Sequence, residues 1–96
     1  MDQILKRGTL VTWESQAGGY TKRKVGTILA FIPKNEDGYQ ELFKIFFPEF
    51  RLPPSQIKGQ RYSQSARYLV EVPRGGKSKL SDYYTPYDSR VEAIQQ

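Results

Sequence analysis

Gly and Pro cut this chain into short pieces, and most of the pieces alternate apolar and polar residues with period two. That pattern is the signature of β-strands with one buried face, and it limits the chain to a small, mainly β fold. Thr9 to Ser15 is the first predicted strand, with Val11 and Trp13 on one face and Leu10, Thr12 and Glu14 on the other. Gln16 to Lys24 reads as a polar loop or hairpin end, turned at Gly18-Gly19. Val25 to Ile32 is almost wholly apolar, which fits a strand crossing the middle of a sheet, and Pro33 ends it before a turn at Asn35 to Gly38. Arg67 to Pro73 alternates most clearly, with Tyr68, Val70 and Val72 opposite Arg67, Leu69 and Glu71. Arg74-Gly75-Gly76-Lys77 then predicts a tight turn, Leu80 to Thr85 the returning strand, Pro86 to Arg90 a single turn, and Val91 to Ile94 a closing strand.

One segment breaks the period. Apolar residues at 39, 42, 43, 46, 47 and 50 have the spacing of one helical face. Asp37 is placed to cap such a helix and Pro48 to end it, so the expectation is a short helix over about 38–47, with a strand as the alternative. Arg51 to Ser65, with Pro53-Pro54 and Gly59, is expected to be an extended, mobile connection. The sum is one domain over 1–96, with four to five short strands and a short helical or irregular aromatic insertion at about 35–65. Such a set is most stable as a small, strongly bent barrel, because closure hides strand edges.

Composition narrows function. The 96 residues include no cysteine and no histidine. Zinc fingers, Ser-His-Asp and Cys-His hydrolases and dithiol redox motifs are thereby excluded. The seven serines lie in no Gly-x-Ser-x-Gly context, and Asp82, Asp88 and Glu92 show no dyad or metal spacing. The chain therefore reads as a binder rather than an enzyme, with no cofactor and no metal. No apolar run reaches signal-peptide or membrane-span length, so the expected location is cytoplasmic, without membrane association.

Arg7-Gly8, the inner-face pair Val11 and Trp13, a Lys/Arg-rich loop, and Val25-Gly26-Thr27-Ile28 follow one another in an order that resembles the small Src-homology-3-type barrels, including the KOW and Tudor groups. Gly26 falls where the KOW pattern has its glycine. Tyr84-Thr85-Pro86 through Val91-Glu92-Ala93-Ile94 looks like the final turn and strand of such barrels. The opening from Gly8 to Gly18 and the Tyr68 to Val72 strand also resemble a group of uncharacterised small bacterial and phage proteins; residues 36–65 depart from that pattern. The resemblance implies a Src-homology-3-like barrel and leaves function open, because this fold carries many unrelated binders.

The net charge of +5 is segregated. Residues 6–24 hold five cations against Glu14, and residues 51–80 hold seven against Glu71, whereas 35–50 sets Lys44 against four carboxylates. The expected nucleic-acid contacts are two basic loops, Lys22, Arg23 and Lys24 and then Arg74, Lys77 and Lys79, with Tyr20 and Tyr84 as stacking faces. Glycines 75 and 76 would let the second tip approach a backbone closely. The alternative is a solvated basic surface kept for solubility.

Leu42, Phe43, Ile45, Phe46, Phe47 and Phe50 crowd six large apolar groups into nine residues. Either they lid one end of the barrel, or Phe46, Phe47 and Phe50 form a protein-binding patch. Two functional expectations follow. The first is a non-catalytic module that contacts nucleic acid through Lys/Arg-rich loops. The second is a protein-interaction module, such as a phage-encoded inhibitor of a host defence or regulatory complex, that caps an acidic protein surface. The expected state is a monomer or weak homodimer.

Overall fold

The computed structural model of the chain describes residues 4–17, 19–46 and 54–94. Five antiparallel strands form one sheet: β1 (Leu10–Ala17), β2 (Tyr20–Ile32), β3 (Arg67–Pro73), β4 (Ser81–Tyr84) and β5 (Glu92–Ala93). Their order across the sheet is β4-β3-β2-β1-β5, so the first and last strands are neighbours. The hydrogen-bonded sheet is open, with β4 and β5 as its edges. Between β2 and β3 come the seven-residue helix α1 (Gln40–Phe46) and a 3-10 turn at Pro54–Gln56; a second 3-10 turn, Asp88–Arg90, precedes β5.

The period-two pattern is realised on both sides of the sheet. On one face Val11, Trp13, Ile28, Tyr68 and Val70 form a cluster, joined by Leu5, Phe31, Val72, Tyr84 and Val91. On the other, Ile32, Leu42, Leu69 and Tyr83 pack together with Leu29, Ala30, Tyr39 and Ile57. A bulge in β2 makes the two-sided arrangement possible. Ile28 pairs with Val70, but Ala30 pairs with Leu69, so Leu29 is the extra residue. It lets consecutive Leu29 and Ala30 join one cluster while Ile28 and Phe31 join the other. Phe31 then meets Tyr68 edge to face at 5.4 Å.

Gly26 is required by close packing. It pairs with Val11, and a β-carbon there would lie 2.6 Å from Val70 Cγ1 and from the Glu71 carbonyl. The apolar face of α1 covers the second cluster through Leu42, which is fully buried; burial of such a side chain contributes about 1.5–3 kcal/mol. Asp37 works at the helix entry as expected, its Oδ1 accepting from the Tyr39 amide at 2.9 Å. Among the described residues no helix is long and apolar enough to cross a membrane.

Two expectations are sharpened or corrected. Of the two readings of Gln16 to Lys24, the hairpin end holds and the loop does not: β1 runs to Ala17, which pairs with Tyr20 at the start of β2. Lys22, Arg23 and Lys24 pair in register with Ser15, Glu14 and Trp13. The physical reason is cross-strand pairing along the hairpin. Thr12 Oγ1 donates to the Lys24 carbonyl at 2.7 Å, and the Arg23 guanidinium donates to Thr12 Oγ1 at 3.3 Å and Glu14 Oε1 at 3.4 Å. The second correction concerns the connection to β3, whose described part is fixed to the sheet. Gln56 is buried and its Nε2 donates to the Ser81 carbonyl, while the Lys58 amide donates to the Tyr83 carbonyl, both at 2.8 Å.

Candidate nucleic-acid interface

Strand alternation decides which cations share a face. Val11 and Trp13 point into the first cluster, and their β2 partners are Gly26 and Lys24. Lys24, Lys22 and Tyr20 therefore emerge on the Trp13 side, and Arg23 on the opposite side beside Glu14. On β4, Tyr84 pairs with Val70 and turns to the same side as Trp13. The sheet curls enough for the Trp13 and Tyr84 rings to meet edge to face at 5.8 Å, although β2 and β3 lie between their strands. Lys24 Nζ sits 5.0 Å from the centroid of the Tyr84 ring.

Beside this stack lies an open groove of about 370 Å³. β1 contributes Trp13, Glu14 and Ser15; the connection contributes Lys58, Gly59 and Gln60; the end of β4 and its continuation contribute Tyr84 to Tyr87, and Arg90 completes it. The connection lies tightly against residue 85. A β-carbon at Gly59 would lie 2.7 Å from the Thr85 amide nitrogen, and the Gly59 carbonyl accepts from Tyr39 Oη at 2.9 Å. Lys58 is thereby presented from a pinned backbone. Arg90 stands over Tyr87 at 5.9 Å, a second pairing of cation and ring. An adjoining pocket shares Trp13, Glu14 and Arg90 and adds Arg23, Ser89 and Glu92.

The structure brings together Lys24 and Tyr84, with Lys22 on the same face. It places Tyr20 at the hairpin tip, 72% exposed and away from the groove lining. Arg74, Lys77 and Lys79 do not line the groove. Arg74 is held by Asp82 at 2.9 Å, and the turn beyond it is exposed, with Gly75 and Gly76 both at positive φ. Both hairpin tips extend past Thr27 and Glu71, the last β2–β3 pair, so the two basic clusters lie toward one end of the sheet.

Much of the 51–80 charge is committed internally. Arg67 is 1% exposed, and its guanidinium donates to the Gln60 and Arg61 carbonyls, with longer contacts to the Glu36 carbonyl and Thr85 Oγ1. Burial lowers its pKa. Arg61 forms a two-point pair with Asp37 at 2.8 and 2.9 Å and lies against the rings of Tyr39 and Tyr62. The Arg61 guanidinium holds the Asp37 carboxyl below its ordinary value. On the opposite face burial, with the neighbouring Glu71 carboxylate, pushes the Tyr83 phenol up.

Sequence reasoning missed Lys58 and Arg90 as groove residues. Arg90 stands between Asp88 and Glu92 in the chain, where its charge is locally cancelled, and only the fold brings it to Tyr87. In the aromatic segment Leu42 is buried and Phe43 is 42% exposed. Phe46 ends α1, and Phe47 and Phe50 lie outside the described residues. Among the described residues no group of three or more Asp, Glu, His or Cys is arranged to hold a metal ion.

In comparisons with known proteins, no family model, no curated protein and no solved structure matches the chain.

Proposed function

We propose that the chain is a non-catalytic, cytoplasmic nucleic-acid-binding module on a Src-homology-3-like barrel, and that the groove beside Trp13 and Tyr84 is its interface. The barrel reading is supported by the pairing of the first strand with the last and by the contact of Trp13 with Tyr84 across the curl of the sheet. The observation that carries the function is the repeated pairing of a cation with a tyrosine face, Lys24 on Tyr84 and Arg90 on Tyr87, at one groove that also receives Lys58. Such cations engage phosphates and release counterions, and the rings offer stacking surfaces that do not discriminate between bases. The interface is thus suited to binding with little sequence preference.

A fluorescence titration of a labelled mixed-sequence oligonucleotide at two salt concentrations tests this. The expected result is steep weakening with salt, and a salt slope smaller by about one for each of Lys24→Gln and Lys58→Gln. No binding at low salt, or binding indifferent to both changes, refutes the proposal. The rival is a phage-encoded inhibitor docking an acidic protein surface; it draws on the same cations and on the exposed Phe43. Capture from lysate that survives nuclease treatment favours the rival.

A further inference from the structure

We infer that the groove selects single-stranded over duplex nucleic acid, with one base against Tyr84, a neighbouring base against Tyr87, and the phosphates on Lys24, Lys58 and Arg90. This rests on the nucleic-acid reading above and names the substrate class of the same site.

Three features carry it. First, the rings line a recess rather than standing on a ridge: Tyr84 and Tyr87 are both partly buried and belong to the groove lining. Bases in a duplex are stacked on one another and present only their edges, whereas an unpaired base can turn its face into such a recess. Second, each ring already carries a cation on it, at 5.0 Å for Lys24 and 5.9 Å for Arg90. A phosphate draws the cation outward and leaves the ring face to the base. Third, carboxylates stand among the cations. Glu14 lines the groove itself, and the adjoining pocket that shares Trp13, Glu14 and Arg90 adds Glu92. A flexible single strand can place its phosphates on the cations and turn away from those carboxylates, whereas a rigid duplex brings a second backbone toward them.

The test is fluorescence anisotropy on the full chain at low salt with three labelled probes. These are a mixed-sequence DNA strand of about a dozen nucleotides, the RNA strand of the same sequence, and a DNA hairpin duplex with the same number of phosphates. Either single strand is expected to bind about tenfold tighter than the duplex. Tyr87→Leu is expected to weaken single-strand binding by about fivefold or more and to leave duplex binding unchanged. Tyr84→Leu should do the same; because Tyr84 also packs on Trp13, Tyr87→Leu is the deciding variant. Equal or tighter duplex binding, or an equal loss for both forms in Tyr87→Leu, overturns the inference while the nucleic-acid reading stands. If none of the three probes binds, that reading itself falls.

Discussion

The indole of Trp13 on β1 and the phenol ring of Tyr84 on β4 meet edge to face at 5.8 Å with an interplanar angle of 63°, across a sheet in which two strands separate them. The backbone leaves β4 as an edge, and this side-chain contact joins it to the far side of the curl. The same pair forms one side of the groove, so this contact belongs to both the curl and the interface.

Truncating Tyr84→Ala removes a half-buried ring and should destabilise the fold by about 2–3 kcal/mol. Trp13 is the only tryptophan, so its emission reports the loss directly and should shift to longer wavelength. Tyr84→Phe keeps the ring and should stay within about 0.5 kcal/mol of the parent. Thermal unfolding followed by emission measures both, and an unchanged Trp13 emission in Tyr84→Ala would show that the contact does not hold the curl.

Gly26→Ala tests the tightest packing in the sheet. A glycine-to-alanine change ordinarily stabilises by restricting the unfolded chain. Here the added carbon would lie 2.6 Å from both Val70 Cγ1 and the Glu71 carbonyl, so β2 and β3 must separate. The expected cost is about 1–3 kcal/mol. For a domain of this length that is a fall in Tm of roughly 4–8 °C per kcal/mol. A Tm equal to the parent's would mean that the strands yield without penalty.

The strands with a clean apolar alternation were legible in the sequence. Val11 and Trp13 share the inner face as their spacing requires, and β3 spans Arg67–Pro73 as predicted. The seven-residue α1 was legible from its apolar stripe and from Asp37. Lys22 to Lys24 misled because strand identity there comes from cross-strand partners, which a linear reading cannot see. Arg67 misled for a related reason. It counts as surface charge in the sequence, yet it is buried because backbone carbonyls from two distant segments converge on it. The groove was only partly legible: Tyr84 was expected in it and Lys24 rests on the Tyr84 ring beside it, but Lys58 and Arg90 reach it through tertiary approach.

Arg67 should be the most sensitive charged position. Its buried planar guanidinium serves the carbonyls of residues 60 and 61 together. Arg67→Met removes these donors and leaves the Arg61 carbonyl with the Gly38 amide alone and the Gln60 carbonyl with the Thr85 hydroxyl alone, a loss of about 1–3 kcal/mol. Arg67→Lys keeps the charge but offers no fork, and should recover only part of that loss. Urea midpoints of the two variants decide it. Equal stability of Arg67→Met and the parent would show that the Arg67 donors add nothing to the Gly38 and Thr85 partners of these carbonyls.

Acid should act through Asp37. Its pairing with Arg61 lowers the carboxyl from the ordinary aspartate value of 3.8, so near and below that pH the folded chain binds fewer protons than the unfolded chain. The stability that the pair contributes is therefore present above 3.8 and is lost as pH falls through the lower folded value. Asp37→Asn keeps an oxygen for the Tyr39 amide but loses the charge facing Arg61. The variant should be less stable than the parent at about pH 7, and the gap should close toward about pH 2 as the parent carboxyl protonates. Added salt should narrow the neutral-pH gap, because the pair is partly exposed and screened. Urea midpoints for both proteins at the two pH values measure the effect. A gap of the same size at both pH values would show that the charge of Asp37 does not produce it.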